Sequence, residues 1–166
     1  MKRSSTSTNS LKFLWITFAI FLIDIATKFV VISHYSLYQS LAMLPFFSIT
    51  YVRNYGAAFG LFLGQRWPLA IMALVISAFI VRFLYKTSKT DYLNNIGFSL
   101  VLGGALGNLF DRLYHGYVID FFDFYINNWH YPAFNVADSA ICIGVTMLLI
   151  GCFSGQKTRE KNKGDQ

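Results

Sequence analysis

Four apolar runs, each close to the roughly 20 residues that a helix needs to cross a bilayer, dominate this chain. They fall at about residues 11–32, 67–85, 92–110 and 136–153. Of the 166 residues, 55% are apolar and only 13% are charged, against about 25% charged in a typical soluble domain. A soluble fold of this size keeps a large polar surface, and 14 basic plus 8 acidic residues are too few to cover it. The same composition argues against a disordered chain, a disulfide scaffold or a nucleic-acid module. The expected fold class is an all-α polytopic membrane protein with four transmembrane helices. A single membrane-embedded domain is expected over residues 1–155, with a basic cytoplasmic tail at 156–166.

The charges orient these spans. Lys2, Arg3 and Lys12 precede or open the first run, Arg82, Lys86 and Lys89 follow the second, and Lys157, Arg159, Lys161 and Lys163 follow the last. Short basic flanks stay in the cytoplasm, so both termini are expected inside. This placement accounts for the basic tail without a nucleic-acid partner. Cys142 and Cys152 lie ten positions apart in one helical run. They are too distant to bridge and are expected as packing residues.

The polar start, residues 1–10, is expected to fray. The first run has the basic start of a secretory signal, but no small-x-small cleavage site follows it, so it is read as a span. Residues 34–66 are too long for a simple loop. Within them Phe47–Val52 is β-branched and aromatic, Asn54 and Gly56 mark a turn, and Gly56–Gly60 is a small-residue stretch. A small extracytoplasmic β platform or flap resting against the bilayer is expected there, between spans 1 and 2. Trp67 and Tyr85 bracket the second span as interfacial anchors. Gly103 and Gly107 in the third form a G-x-x-x-G pair suited to close helix contact.

Ionisable groups in a bilayer are costly unless paired, hydrated or functional. Asp24, Asp111, Asp120, Asp123 and Asp138 all map toward the outer face, although they come from three spans and one loop. Asp120 sits in the extended aromatic segment YVIDFFDF, and Asp138 in the first turn of the fourth helix. Two close carboxylates cannot both ionise cheaply, so one keeps its proton and the pair offers an acid and a base. That chemistry activates water against an amide. The ordinary alternatives are a helix cap for Asp138 and a polar rim for Asp120.

Gly104, Asn108 and Asp111 share a helix face, with Arg112 beside them. Asp111 is expected to pair with an arginine and hold the following loop. Asn135 is placed either to donate to a reacting carboxylate or to cap the fourth helix. Asp24 and Lys28 form an i, i+4 pair, read as an internal ion pair or as a placement of Asp24 near substrate. Asn54 suits either a peptide-backbone contact or a turn. His34, His115 and His130 lack metal-ligand spacing, and no nucleophile elbow or phosphate-binding glycine loop is present. The residues alone leave three readings open. These are a peptidase, a metal-dependent phospholipid head-group transferase using Asp111, Asp120 and Asp123, and a small proton-coupled transporter with Asp24 or Asp111 as relay.

The stretches DIATK at 24–28, RNYGAAFG at 53–60, GGALGNLFDRLYHGYVIDFFDF at 103–124 and FNVADSAICIG at 134–144 closely resemble the bacterial lipoprotein signal peptidases, or signal peptidase II. The resemblance covers about residues 11–155. It implies an inner-membrane aspartic endopeptidase with both termini cytoplasmic and its active site toward the outer leaflet. Such an enzyme removes signal peptides from diacylglyceryl-modified prolipoproteins just before the lipidated cysteine. By that similarity Asp120 and Asp138 are the catalytic pair, and Asp24, Lys28, Asn54, Asn108, Asp111, Arg112 and Asn135 match the family's polar set. A mobile flap is implied over the site. Gly104 is expected to leave room beside the acyl chains. Membrane lipids are expected partners, the protein is expected to be monomeric, and no metal or other cofactor is expected. LIGC at 149–152 looks like a lipoprotein cleavage box, but at the end of the last span it lacks signal-peptide context.

Overall fold

The computed structural model describes residues 10–57 and 61–164, with side chains described as far as Phe153. A short 3-10 turn, Leu11–Phe13, leads into helix α1, Leu14–His34. Helices α2, Arg66–Lys86, α3, Tyr92–Tyr114, and α4, Val136–Gly164, follow. Each of the four carries a stretch long and apolar enough to cross a membrane. Ser10 ties the entry of α1 to the end of α2, its hydroxyl donating to the Thr87 carbonyl at 2.9 Å.

Helix α3 is the central member, packed against α1, α2 and α4. It is the least apolar span and the most buried, because glycines rather than large side chains face its neighbours. A Cβ on Gly103 would stand 2.9 Å from the Thr17 carbonyl of α1, and one on Gly144 of α4 would stand 2.6 Å from the Gly97 carbonyl. Backbones this close gain dispersion contacts where lipid provides no hydrophobic drive between helices. Gly144→Val is therefore expected to force α3 and α4 apart and destabilise the bundle by about 1–3 kcal/mol, read as a lower thermal midpoint in detergent.

The outward faces of α1, α2 and α4 expose Trp15, Phe29, Phe79, Ile143 and Phe153, as a lipid-facing surface should. Cys142 and Cys152, expected as packing residues, are both exposed free thiols.

Both extramembrane regions contribute to one antiparallel sheet. Strands β1, Ser40–Leu44, and β2, Phe47–Asn54, lie between α1 and α2, while β3, Val118–Ile126, and β4, Trp129–His130, lie between α3 and α4. The order is β1-β2-β3-β4. The platform expected between spans 1 and 2 thus recruits the aromatic segment after α3 as its most buried strand. Val31 at the end of α1 packs with Tyr51, Ile119 and Phe121 to seat the sheet on the bundle. Residues 1–9 and part of the Gly56–Gly60 stretch lie outside the described residues, as do the side chains of the basic tail.

Candidate active site

The end of α4 that abuts the sheet is built from a reciprocal cap. The Asn135 side-chain oxygen accepts from the Asp138 backbone N–H at 2.9 Å, and Asp138 accepts from the Asn135 N–H at 3.3 Å. This is capping-box geometry, which satisfies two otherwise unpaired N–H groups. A third, from Ala137, donates to Asp24 of α1 at 2.9 Å. Asn135 is the cap and Asp138, in the first turn, is its reciprocal partner, while the other oxygen of Asp138 receives the Asn108 amide of α3 at 2.7 Å.

Asp120 enters from the sheet and is 2% exposed. It accepts from Asn135 Nδ2 at 2.7 Å and from Asn54 Nδ2 at 3.0 Å. Asn135 therefore touches both carboxylates and fixes one relative to the other. Asn54 also acts as a turn residue, since its oxygen receives the Gly56 N–H at 2.9 Å. Burial, followed by the nearby charge of Asp138, pushes the Asp120 carboxyl up to about 7, against the lowering effect of its two amide donors. It keeps its proton under conditions where an exposed carboxyl would be ionised.

Beneath this pair lies a buried charge cluster. Lys28 Nζ donates to Asp24 at 2.7 Å, to Asp111 at 2.9 Å and to Asn108 Oδ1 at 3.1 Å, using all three of its hydrogens. Lys28 and Asp24 are 2% and 0% exposed. Asp24 is thereby the internal ion-pair member, and its free oxygen braces α4 at Ala137. Asp111 was expected to pair with an arginine; it pairs with Lys28 instead. Adjacent residues on a helix point about 100° apart, so Arg112 cannot follow Asp111 inward. Arg112 turns to the Asn108 carbonyl at 3.2 Å and the Gly56 carbonyl at 2.9 Å. Asp111 does hold the following loop, accepting from the Ile119 N–H at 3.0 Å next to Asp120.

Gly107 meets the Asp24 carboxylate, leaving no space for a side chain, and Gly104 meets the Ala137 carbonyl and Ile141. The room expected beside Gly104 for acyl chains is filled by α4. Asp123 stands apart from the pair. Residues three apart on a strand face opposite ways, and its oxygens take Ser48, Thr50 and His130. Among the described residues no group of three His, Cys, Asp or Glu side chains is arranged to hold a metal.

Asn54, Asn108, Arg112, Asp120 and Asp138 line one cavity of about 750 Å³, walled on a further side by Tyr131–Phe134 and reaching Cys142 one turn along α4. That wall was not foreseen from sequence. Its only signal was the aromatic density of WHYPAF just before Asn135.

A four-span bundle carrying two amide-braced carboxylates at one cavity has the arrangement of an intramembrane aspartic peptidase. Residues 16–154 match the family described as Signal peptidase (SPase) II. Lipoprotein signal peptidases of Histophilus somni and Alteromonas mediterranea are 48% and 50% identical, covering 95% and 92% of this chain and 98% and 86% of the relatives. That of Actinobacillus succinogenes is 46% identical over the whole of both chains. A solved structure described as a bacterial membrane enzyme superposes with a TM-score of 0.83 at 31% identity, covering 89% of this chain and 90% of that one. The chain belongs to the signal peptidase II family.

Proposed function

We propose that this protein is an intramembrane aspartic endopeptidase that removes the signal peptide from diacylglyceryl-modified prolipoproteins immediately before the lipidated cysteine. It lies in the bacterial inner membrane as one domain over residues 1–155, with both termini and the basic tail cytoplasmic and the cavity toward the outer leaflet. The observation that carries this reading is the convergence of Asp120 and Asp138 on one cavity, joined by Asn135. A lipid anchor on the substrate holds the scissile bond at the depth where α4 begins.

Asp138 acts as the base. It receives two N–H donors in the first turn of a helix, where the dipole favours a carboxylate. It takes a proton from water as the water oxygen adds to the carbonyl carbon, and Asp120 donates its proton to the carbonyl oxygen. On collapse the amide nitrogen leaves with the proton held by Asp138, and Asp120 recovers one from the hydroxyl of the intermediate. Both groups end as they began.

Purified protein in detergent, incubated with a diacylglyceryl-modified prolipoprotein, is expected to yield a product beginning at the modified cysteine, read by mass spectrometry and unchanged by EDTA. Cleavage elsewhere, or of the unmodified precursor at the same rate, would overturn the reading. The pH profile is a second test. Asp120 titrates at about 7, so kcat/KM is expected to fall above that pH as the acid is lost. Folded Asp120 binds its proton more tightly than the unfolded chain does, so its stability contribution also declines from about pH 4 to about pH 7. A profile flat from about pH 6 to about pH 9 would exclude Asp120 as the acid.

A further inference from the structure

We infer that His130 and Asp123 form a positioning clasp that sets the cavity wall at Tyr131–Phe134, and so governs substrate binding rather than the chemical step. The inference rests on that cavity being the substrate site. Asp123 is 6% exposed, and its carboxylate gathers the whole sheet. From β2, Ser48 and Thr50 donate to one oxygen at 3.1 and 2.9 Å. From β4, His130 donates through Nδ1 to the other at 2.8 Å. Thr50 is joined in turn to Ser40 of β1 at 2.8 Å.

A bulge makes this possible. Ile49 pairs with Phe122 and Val52 with Asp120, so β2 carries one extra residue between them. Without it, alternation would not let Ser48 meet Asp123 while Asn54 meets Asp120. Alternation along β3 turns Asp120 and Asp123 to opposite faces, and the β2 bulge is what lets β2 supply a partner to each.

The wall is pinned at two ends by different means. At the Phe134 end, the backbone pairs with Phe122 in both directions, at 2.8 and 3.1 Å, and Phe121 also donates to Phe134 at 3.0 Å. That end adjoins Asn135 and the carboxylate pair. At the other end the Tyr131 N–H reaches the Phe124 carbonyl at 2.8 Å, next to the His130–Asp123 bond and the stacking of His130 on Tyr125. β4 is only two residues long, so this bond from a half-exposed imidazole adds to the short backbone pairing of His130 with Tyr125 and Trp129 with Ile126. None of the amides that brace Asp120 and Asp138 touches the clasp. Loosening it should free the far end of the wall and leave the reacting groups in place.

The test compares His130→Ala with His130→Asn, whose Nδ2 lies near the position of Nδ1. In His130→Ala, KM for a lipid-modified precursor is expected to rise about tenfold, the scale of one hydrogen bond to a charged group, with kcat within about twofold. His130→Asn should restore KM. Hydrogen exchange provides a readout independent of activity. The Tyr131 amide should lose protection in His130→Ala and regain it in His130→Asn, while Phe122 and Phe134 keep theirs. An unchanged KM with unchanged Tyr131 exchange overturns the clasp, as does a fall in kcat that tracks a lowered melting temperature. Loss of Tyr131 protection in His130→Ala and its recovery in His130→Asn, with no cleavage by the parent protein, would instead count against the proposed function and leave the clasp supported.

Discussion

Asp120→Asn and Asp138→Asn are each expected to cut the cleavage rate by roughly 10²–10⁴-fold, the range lost when a positioned acid or base is removed. The two losses should not add, because either carboxylate without its partner leaves one proton transfer unassisted in both halves of the cycle. Both variants should fold. Asp120 sits among amide donors that an asparagine oxygen still satisfies in part, and the cap at Asn135 keeps its backbone bond to position 138. Asp91→Asn is the matched control, since Asp91 caps the far end of α3 and its oxygen receives the Asn94 N–H at 3.3 Å. Its rate should equal that of the parent. Full cleavage of a lipid-modified precursor by either dyad variant would refute the assignment.

The largest stability effect is expected at Lys28. Lys28→Met leaves Asp24, Asp111 and the Asn108 oxygen directed at a site with no cation, all of them buried. Breaking a buried pair from one side costs about 3–5 kcal/mol, because a charge is left uncompensated in a low dielectric. The thermal midpoint in detergent should fall accordingly, and activity with it, because Asn108 loses one of the two contacts that aim its amide at Asp138, keeping only Asn135 Nδ2 at 3.2 Å. Adding Asp24→Asn and Asp111→Asn removes the stranded charges, and the triple variant should recover most of the melting temperature. An unchanged melting curve for Lys28→Met alone would show that the cluster carries no net stabilisation. Failure of the triple variant to recover would show that Lys28 acts through packing rather than charge.

The sheet marks where sequence reading reached its limit. Strand character was plain in Phe47–Val52, which alternates and is bounded by turn residues. β3 was recognisable only as an extended aromatic segment, because a strand buried on both sides has no alternation to display. That β3 joins β2 depends on two chain regions some 70 positions apart meeting on top of the bundle. No local pattern encodes such a pairing. The Asp111 partner shows the same limit. Sequence proximity favoured an arginine, yet the cation that reaches Asp111 comes from α1, because α3 turns Arg112 to another face.

The amino-acid order by itself determined the four spans and the presence of acids that a bilayer tolerates only with partners. A membrane helix satisfies its backbone within its own segment, so its length and apolarity are local properties and legible one run at a time. The partners of those acids were decided by the tertiary structure alone. Close glycine contacts bring α1 and α4 against α3, and only then can Lys28 compensate Asp24 and Asp111. The same packing lets Asn108 and Asn135 aim Asp138 and Asp120 into one cavity. Hydrogen bonds and ion pairs act over about 3 Å, a distance that sequence separation does not report.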